Sequence, residues 1–144
     1  MAHDPVLVEN TRAWLVRADT DIRSAVADLS AKPPILDDVL FHCQQAAEKS
    51  LKAFLFWRDV SFGKTHDLEN LGVQCMRLEP DLAPLLDRAK RLTKYATMFR
   101  YPGAPYEPTA EEAHTGLALA REIFGAIQTR LPSETWPQHP GPRV

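Results

Sequence analysis

The sequence has little cysteine, no long apolar run and almost no net charge. It contains only two cysteines in 144 residues, without the spacing of a zinc site and too few for a disulfide framework. We expect Cys43 and Cys75 to be reduced and buried. No run approaches the roughly 18 apolar residues of a membrane span, and the first residues lack the pattern of a secretory signal. We therefore expect a cytoplasmic protein with no membrane segment.

The charge balance excludes a globally basic protein. Lys and Arg number 17 against 19 Asp and Glu, which gives a net charge of -2. Any surface for nucleic acid must therefore be local. With 44% hydrophobic and 25% charged residues, the composition is that of an ordinary globular protein, and the length predicts one domain.

The common catalytic and cofactor motifs are also absent. The sequence contains no GxxxxGK[ST], GxGxxG, HExxH or GxSxG pattern. We accordingly predict no cofactor, no metal site and no catalytic residue from such templates.

Proline positions divide the chain into helical segments. The 12 prolines leave proline-free windows at 6–32, 35–79, 85–101 and 109–131, and proline marks helix ends. Asp4 with Pro5, and Thr109 with Glu112, predict two helix starts. Gly63 divides the second window, and Thr65 is the expected cap of a short helix that ends before Pro80.

These segments predict an all-α fold, an up-and-down helical bundle of four long helices plus one short helix. The third of the long helices, the fourth helix in chain order, is expected to run from Asp81 past Phe99 and to stop at residues 101–103. The domain covers residues 1–131. Residues 132–144 carry four prolines and are expected to form an extended or disordered tail outside the fold.

The second helix is apolar on almost its whole circumference, which places it at the centre of the bundle or under a second subunit. One polar sector interrupts it, and its members lie within about 80 degrees of one another on a helical wheel. They are His42, Gln45, Lys49, Lys52 and Phe56. This sector could bind an anion and stack an aromatic ring. Alternatively, Glu48 and Lys52 form an ordinary surface pair and His42 is a satisfied interfacial residue.

Two further positions are candidates for phosphate contact. Arg100 flanks an apolar stripe and could bind phosphate while Tyr101 stacks on a base; alternatively it holds the last helix carbonyls or pairs with Glu48. His66 lies at the start of the short helix, where amide groups favour an anion. It could equally be a merely exposed residue in a turn capped by Thr65 and Asp67.

Four stretches of the sequence form a recognisable set: FHCQQAAEKSLKA at 41–53, KTHDL at 64–68, RYPG at 100–103 and TAEEA at 109–113. Together they resemble the HEPN domains, the higher eukaryotes and prokaryotes nucleotide-binding family. The resemblance implies a helical bundle, frequently a homodimer, that binds nucleotides or RNA. It also implies a possible partner, a small nucleotidyltransferase, in a toxin-antitoxin pair.

Many HEPN proteins are metal-independent ribonucleases with an Arg followed, after four to six residues, by a His. No arginine here meets that spacing: Arg58 is separated from His66 by seven residues, and no His follows Arg100 at the required distance. We therefore predict a non-catalytic protein that binds nucleotide or RNA phosphate through His42, Gln45, Lys49, Lys52, His66, Arg100 and Tyr101. Two alternatives remain: a ribonuclease with a displaced site built from His42 or His66 and Arg100, and an antitoxin-like or scaffold partner of another protein.

Overall fold

The computed structural model describes residues 2–99, 101–103 and 106–138. These residues form five α-helices and no strand, so the predicted all-α bundle is confirmed. The helices are α1 (Pro5–Ser30), α2 (Leu36–Trp57), α3 (Leu68–Leu78), α4 (Ala83–Ala89) and α5 (Ala110–Gln128). Short 3₁₀ segments occupy Pro80–Leu82, Lys90–Ala96 and Ser133–Thr135.

Two helix starts are formed as the sequence predicts. Asp4 caps α1 by accepting a hydrogen bond from the amide of Val6, and Pro5 takes the first helical position. At α5, Thr109 and Glu112 form a reciprocal capping box. Both caps satisfy amide groups that a helix start leaves without a partner.

The start of α3 differs from the prediction. Asp67, not Thr65, is the N-cap, and its Oδ1 accepts from the amides of Glu69 at 3.0 Å and Asn70 at 3.3 Å. Thr65 instead accepts from the amide of Asp67. A carboxylate favours the positive end of a helix, which explains why the aspartate takes the cap position.

The helix predicted to start at Asp81 is shorter than expected. Its α-helical part, α4, ends at Ala89, and the chain continues as a 3₁₀ helix over Lys90–Ala96. Ala89, Leu92 and Tyr95 are buried, and residues three apart align along one side of a 3₁₀ helix. The tighter helix therefore turns all three side chains to the core.

Helix α2 lies at the centre of the bundle. It packs against α1, α3, α5 and the 3₁₀ segment Lys90–Ala96. The approach of α5 is close, because a Cβ atom at Gly116 would lie 2.9 Å from Cδ2 of Leu40. The apolar circumference of α2 is thus covered within one chain, and a second subunit is not needed to explain it.

The C-terminal segment packs on the bundle as far as Trp136, so the part of the predicted tail from residue 132 to residue 136 is not a free tail. Thr135 is fully buried, and the indole Nε1 of Trp136 donates to the carbonyls of Gln128 at 2.8 Å and Leu131 at 3.2 Å. The carbonyl of Glu134 accepts from Arg12 of α1. Aromatic burial and these hydrogen bonds outweigh the proline content of the segment.

Both cysteines are unpaired and buried, as predicted. Burial raises the pKa of each thiol to about 12. Within the described residues, no helix combines the length and the apolarity that crossing a bilayer requires.

Candidate functional site

A buried carboxylate on α2 organises the first cluster of candidate residues. Glu48 is 2% exposed and its two oxygens meet three polar side chains. Oε1 lies 2.6 Å from Nδ1 of His66 and accepts from Gln44 at 3.3 Å, and Oε2 accepts from Lys52 at 3.1 Å. We name these four residues the Glu48 cluster.

His66 belongs to this cluster but reaches the surface. Its side chain is 69% exposed, whereas the Glu48 side chain is 3% exposed. A carboxylate only accepts hydrogen bonds, so Nδ1 is the donor and Nε2 is the ring nitrogen left for another group. The backbone is held as well, because the buried amide of Gln44 donates to the His66 carbonyl at 3.2 Å. The ring is therefore fixed in orientation and accessible.

The amide groups at the start of α3 are already occupied. Those of Glu69 and Asn70 donate to Asp67, and that of Leu68 donates to Oγ1 of Thr93 at 3.3 Å. An anion at this helix end would consequently meet the imidazole of His66 rather than the helix amides.

Lys52 is an internal charge. Its side chain is 7% exposed, and its ammonium group lies 5.6 Å from the ring centres of both Trp14 and Phe62. The predicted pair with Glu48 is present, but it is buried rather than at the surface. Lys52 thus holds Glu48 in place and presents little charge to a ligand.

A second carboxylate, on α1, organises the second cluster. Oδ1 of Asp21 lies 2.9 Å from Nδ1 of His42, and Oδ2 accepts from Lys49 at 2.6 Å. The other His42 nitrogen, Nε2, lies 3.9 Å from a carboxylate oxygen of Asp28. Both ring nitrogens of His42 therefore face acids. We name Asp21, His42 and Lys49 the Asp21 cluster.

The structure thus divides the predicted site residues between two clusters on α2. Lys52 and His66 join Glu48, and His42 and Lys49 join Asp21. Gln45 donates to the side chain of Gln44 at 2.7 Å, next to the Glu48 cluster. Tyr101 is 72% exposed. Arg100 lies outside the described residues.

Sequence reasoning missed the contribution of α1. Asp21 and Asp28 give His42 and Lys49 their partners, and Trp14 and Arg17 line a surface cavity of about 360 Å³ with Phe56. Arg17 is exposed, and the described part of the chain gives it no ion pair. One sequence pattern could have predicted this contribution: Trp14, Arg17 and Asp21 are spaced three and four residues apart, which places them on one helix face.

Another cavity, of about 510 Å³, lies between the 3₁₀ segment Lys90–Ala96 and α5. Glu112 lines this cavity. Burial alone would raise the pKa of Glu112, but hydrogen bonds from Thr109, Tyr106 and Tyr95 outweigh this effect and lower the pKa below its ordinary value. Burial together with the charge of Glu112 raises the pKa of Tyr95. This carboxylate and its partners stabilise the start of α5.

Comparison with known proteins agrees with the fold and the four sequence stretches. The model of the HEPN domain family matches residues 11–130, which includes most of α1 and all of α2 to α5. Searches of the curated proteins and of the solved structures return no match. Because the family model covers most of the chain, the protein belongs to the HEPN domain family.

Proposed function

We propose that this HEPN domain binds the phosphate groups of a nucleotide or RNA and does so without catalysis. The observation that carries the proposal is the His66 ring, exposed at the surface and held through Nδ1 by the buried Glu48. A protonated imidazole in a fixed orientation donates a charge-assisted hydrogen bond to phosphate without further loss of side-chain freedom.

The remaining site residues have graded roles in this proposal. Tyr101, which is largely exposed, offers a ring on which a base can stack. Gln45 offers amide hydrogen-bonding capacity next to the Glu48 cluster. Lys49 contributes less net charge than its type suggests, because it is paired with Asp21, and both ring nitrogens of His42 face acids. Arg100 remains a site residue predicted from the sequence.

A titration of the purified protein with mononucleotides and short single-stranded RNAs tests the proposal. His66→Gln should weaken binding about tenfold, the equivalent of about 1.4 kcal/mol. The exposed His114 provides the matched control, and His114→Gln should bind like the wild type. Arg100→Ala tests the sequence prediction in the same assay. Absence of wild-type binding, or equal affinity of wild type and His66→Gln, overturns the proposal.

A second candidate function is metal-independent RNA cleavage at a displaced site. The Glu48–His66 pair favours it, since a histidine oriented by a carboxylate is the usual arrangement of a general base. His42 is a poorer base, because both its nitrogens face acids. Cleavage of RNA in EDTA, lost in His66→Gln and kept in His114→Gln, would establish this function and refute the non-catalytic one.

The family also supports a proposed homodimer and a nucleotidyltransferase partner in a toxin-antitoxin pair. Light scattering tests the dimer, and a monodisperse monomer refutes it. Co-purification with a nucleotidyltransferase encoded by a neighbouring gene tests the partner. Stable association with such a protein, combined with no nucleotide or RNA binding, would favour the antitoxin-like or scaffold alternative.

A further inference from the structure

The turn between α1 and α2 brings three metal-ligating side chains together. One nitrogen of His42 and one oxygen each of Asp28 and Asp38 all lie within 4.8 Å of one another, and all three residues are half-buried. Asp28 comes from the last turn of α1, and Asp38 and His42 come from α2. We name them the Asp28–Asp38–His42 group.

Their spacing is suited to one ion. Asp38 and His42 are four residues apart on α2, the separation that presents two ligands from one helix face to a single metal. Tetrahedral ligands at about 2.0–2.2 Å from a metal are about 3.4 Å from each other. Nε2 of His42 and the Asp28 oxygen are 3.9 Å apart, so small side-chain rotations bring them to a common ion.

The imidazole is oriented by a residue outside the group. Asp21 binds Nδ1 of His42 at 2.9 Å and is itself fixed by Lys49 at 2.6 Å. Nε2 is thereby directed to the side where Asp28 lies. A carboxylate on the far nitrogen is the arrangement that orients histidine ligands of metals and strengthens them as donors.

The backbone and the local charge also favour a cation. The carbonyl of Asp28 accepts from the amides of Ala31 and Ile35, which fixes the end of α1 against the start of α2. The last turn of α1 contains no basic residue, although the negative end of a helix favours one.

We propose that Asp28, Asp38 and His42 bind one divalent first-row transition metal ion, for which Zn²⁺ is the probe. One imidazole and two carboxylates suit zinc better than Mg²⁺ or Ca²⁺, which prefer oxygen ligands alone. Neither the proposed phosphate binding nor catalysis is required for this site, and its test needs neither.

Calorimetric titration of chelator-stripped protein with Zn²⁺ should give one site per chain. His42→Gln and Asp28→Asn should each lower the affinity by tenfold or more, whereas His114→Gln should leave it unchanged. Asp21→Asn should lower it about tenfold at unchanged stoichiometry, because the orienting carboxylate is lost. No stoichiometric binding by the wild type, or binding unchanged in both ligand variants, overturns the proposal.

A second measurement uses the wild-type protein alone, so that an unfolded variant cannot leave the question open. Added Mn²⁺ should selectively broaden the NMR signals of one of the five histidine rings. That ring is identified as His42 by its contact with Phe41, whose ring centre is 5.5 Å away. Broadening of His42 first supports the site, and broadening of another histidine instead refutes it.

Discussion

Replacing Glu48 by glutamine removes the charge at the centre of the Glu48 cluster while keeping its shape. Lys52, with a 7% exposed side chain, then remains buried without a counter-ion. Removing one partner of a buried ion pair costs about 3–5 kcal/mol. The amide oxygen of glutamine still accepts one hydrogen bond, so we expect the lower end, about 3 kcal/mol.

The assay is urea unfolding, supported by thermal melting. A loss of about 3 kcal/mol is a large part of a typical free energy of unfolding of about 5–15 kcal/mol. The entropy of unfolding is about 2.1 cal/mol/K per residue. For 144 residues, a loss of about 3 kcal/mol therefore lowers the Tm by about 10 °C. The urea m-value should stay unchanged, because the surface exposed on unfolding is the same.

An exposed ion pair supplies the matched control. Arg88 and Glu122 lie 2.6 Å apart with side chains 50% and 51% exposed, and Glu122→Gln should cost no more than about 1 kcal/mol. The double variant Glu48→Leu with Lys52→Met should recover part of the loss, since an apolar pair can replace a buried ion pair, while the buried amide of Gln44 loses Glu48 as an acceptor. If Glu48→Gln costs no more than Glu122→Gln, the pair is solvated and the reasoning about the cluster is refuted.

Three further predictions concern the packing and the thiols. Gly116→Ala should lower the free energy of unfolding by about 1–3 kcal/mol, because its Cβ would lie 2.9 Å from buried Leu40. Gly125→Ala should raise it by up to about 1 kcal/mol in the same urea assay, because the added Cβ would have nothing within 4 Å. Trp136→Ala should cost about 2 kcal/mol of unfolding free energy through lost packing and two lost hydrogen bonds; an unchanged midpoint would show that residues 132–138 lie outside the cooperative fold. Burial raises the pKa of Cys43 and Cys75 to about 12, so their reactive thiolate forms are rare at pH 8.5. A thiol reagent should therefore label neither cysteine until urea unfolds the protein. Rapid labelling of the native chain would contradict their burial.

The helices were predictable from the sequence where the determining contacts are local. Asp4 with Pro5, and Thr109 with Glu112, specify helix starts within four residues, and both are formed. The 3₁₀ segment Lys90–Ala96 was not predictable, because the hydrophobic spacing of its residues also fits an α-helix. Packing of Leu92 and Tyr95 against the core determines the tighter turn.

The candidate site was predictable only along α2. A helical wheel places Lys49, Lys52 and His42 in one sector, and the i,i+4 spacing of Glu48 and Lys52 predicts their pairing. A helical wheel of α2 gives no information on which residues of a neighbouring helix contact this sector. Asp21 is 21 residues from His42 in the chain, and their contact depends on how α1 packs on α2, so the neutralising acids could not be predicted.

The central claim is that His66, oriented by Glu48, is the group that meets phosphate. Side-chain ¹H–¹⁵N correlation spectra of the histidines, recorded while a short RNA is added, test it most directly. We predict that the Nε2 resonance of His66 moves with the binding curve and that the signals of His114 do not. Saturable RNA binding that leaves the His66 resonances unchanged would contradict it.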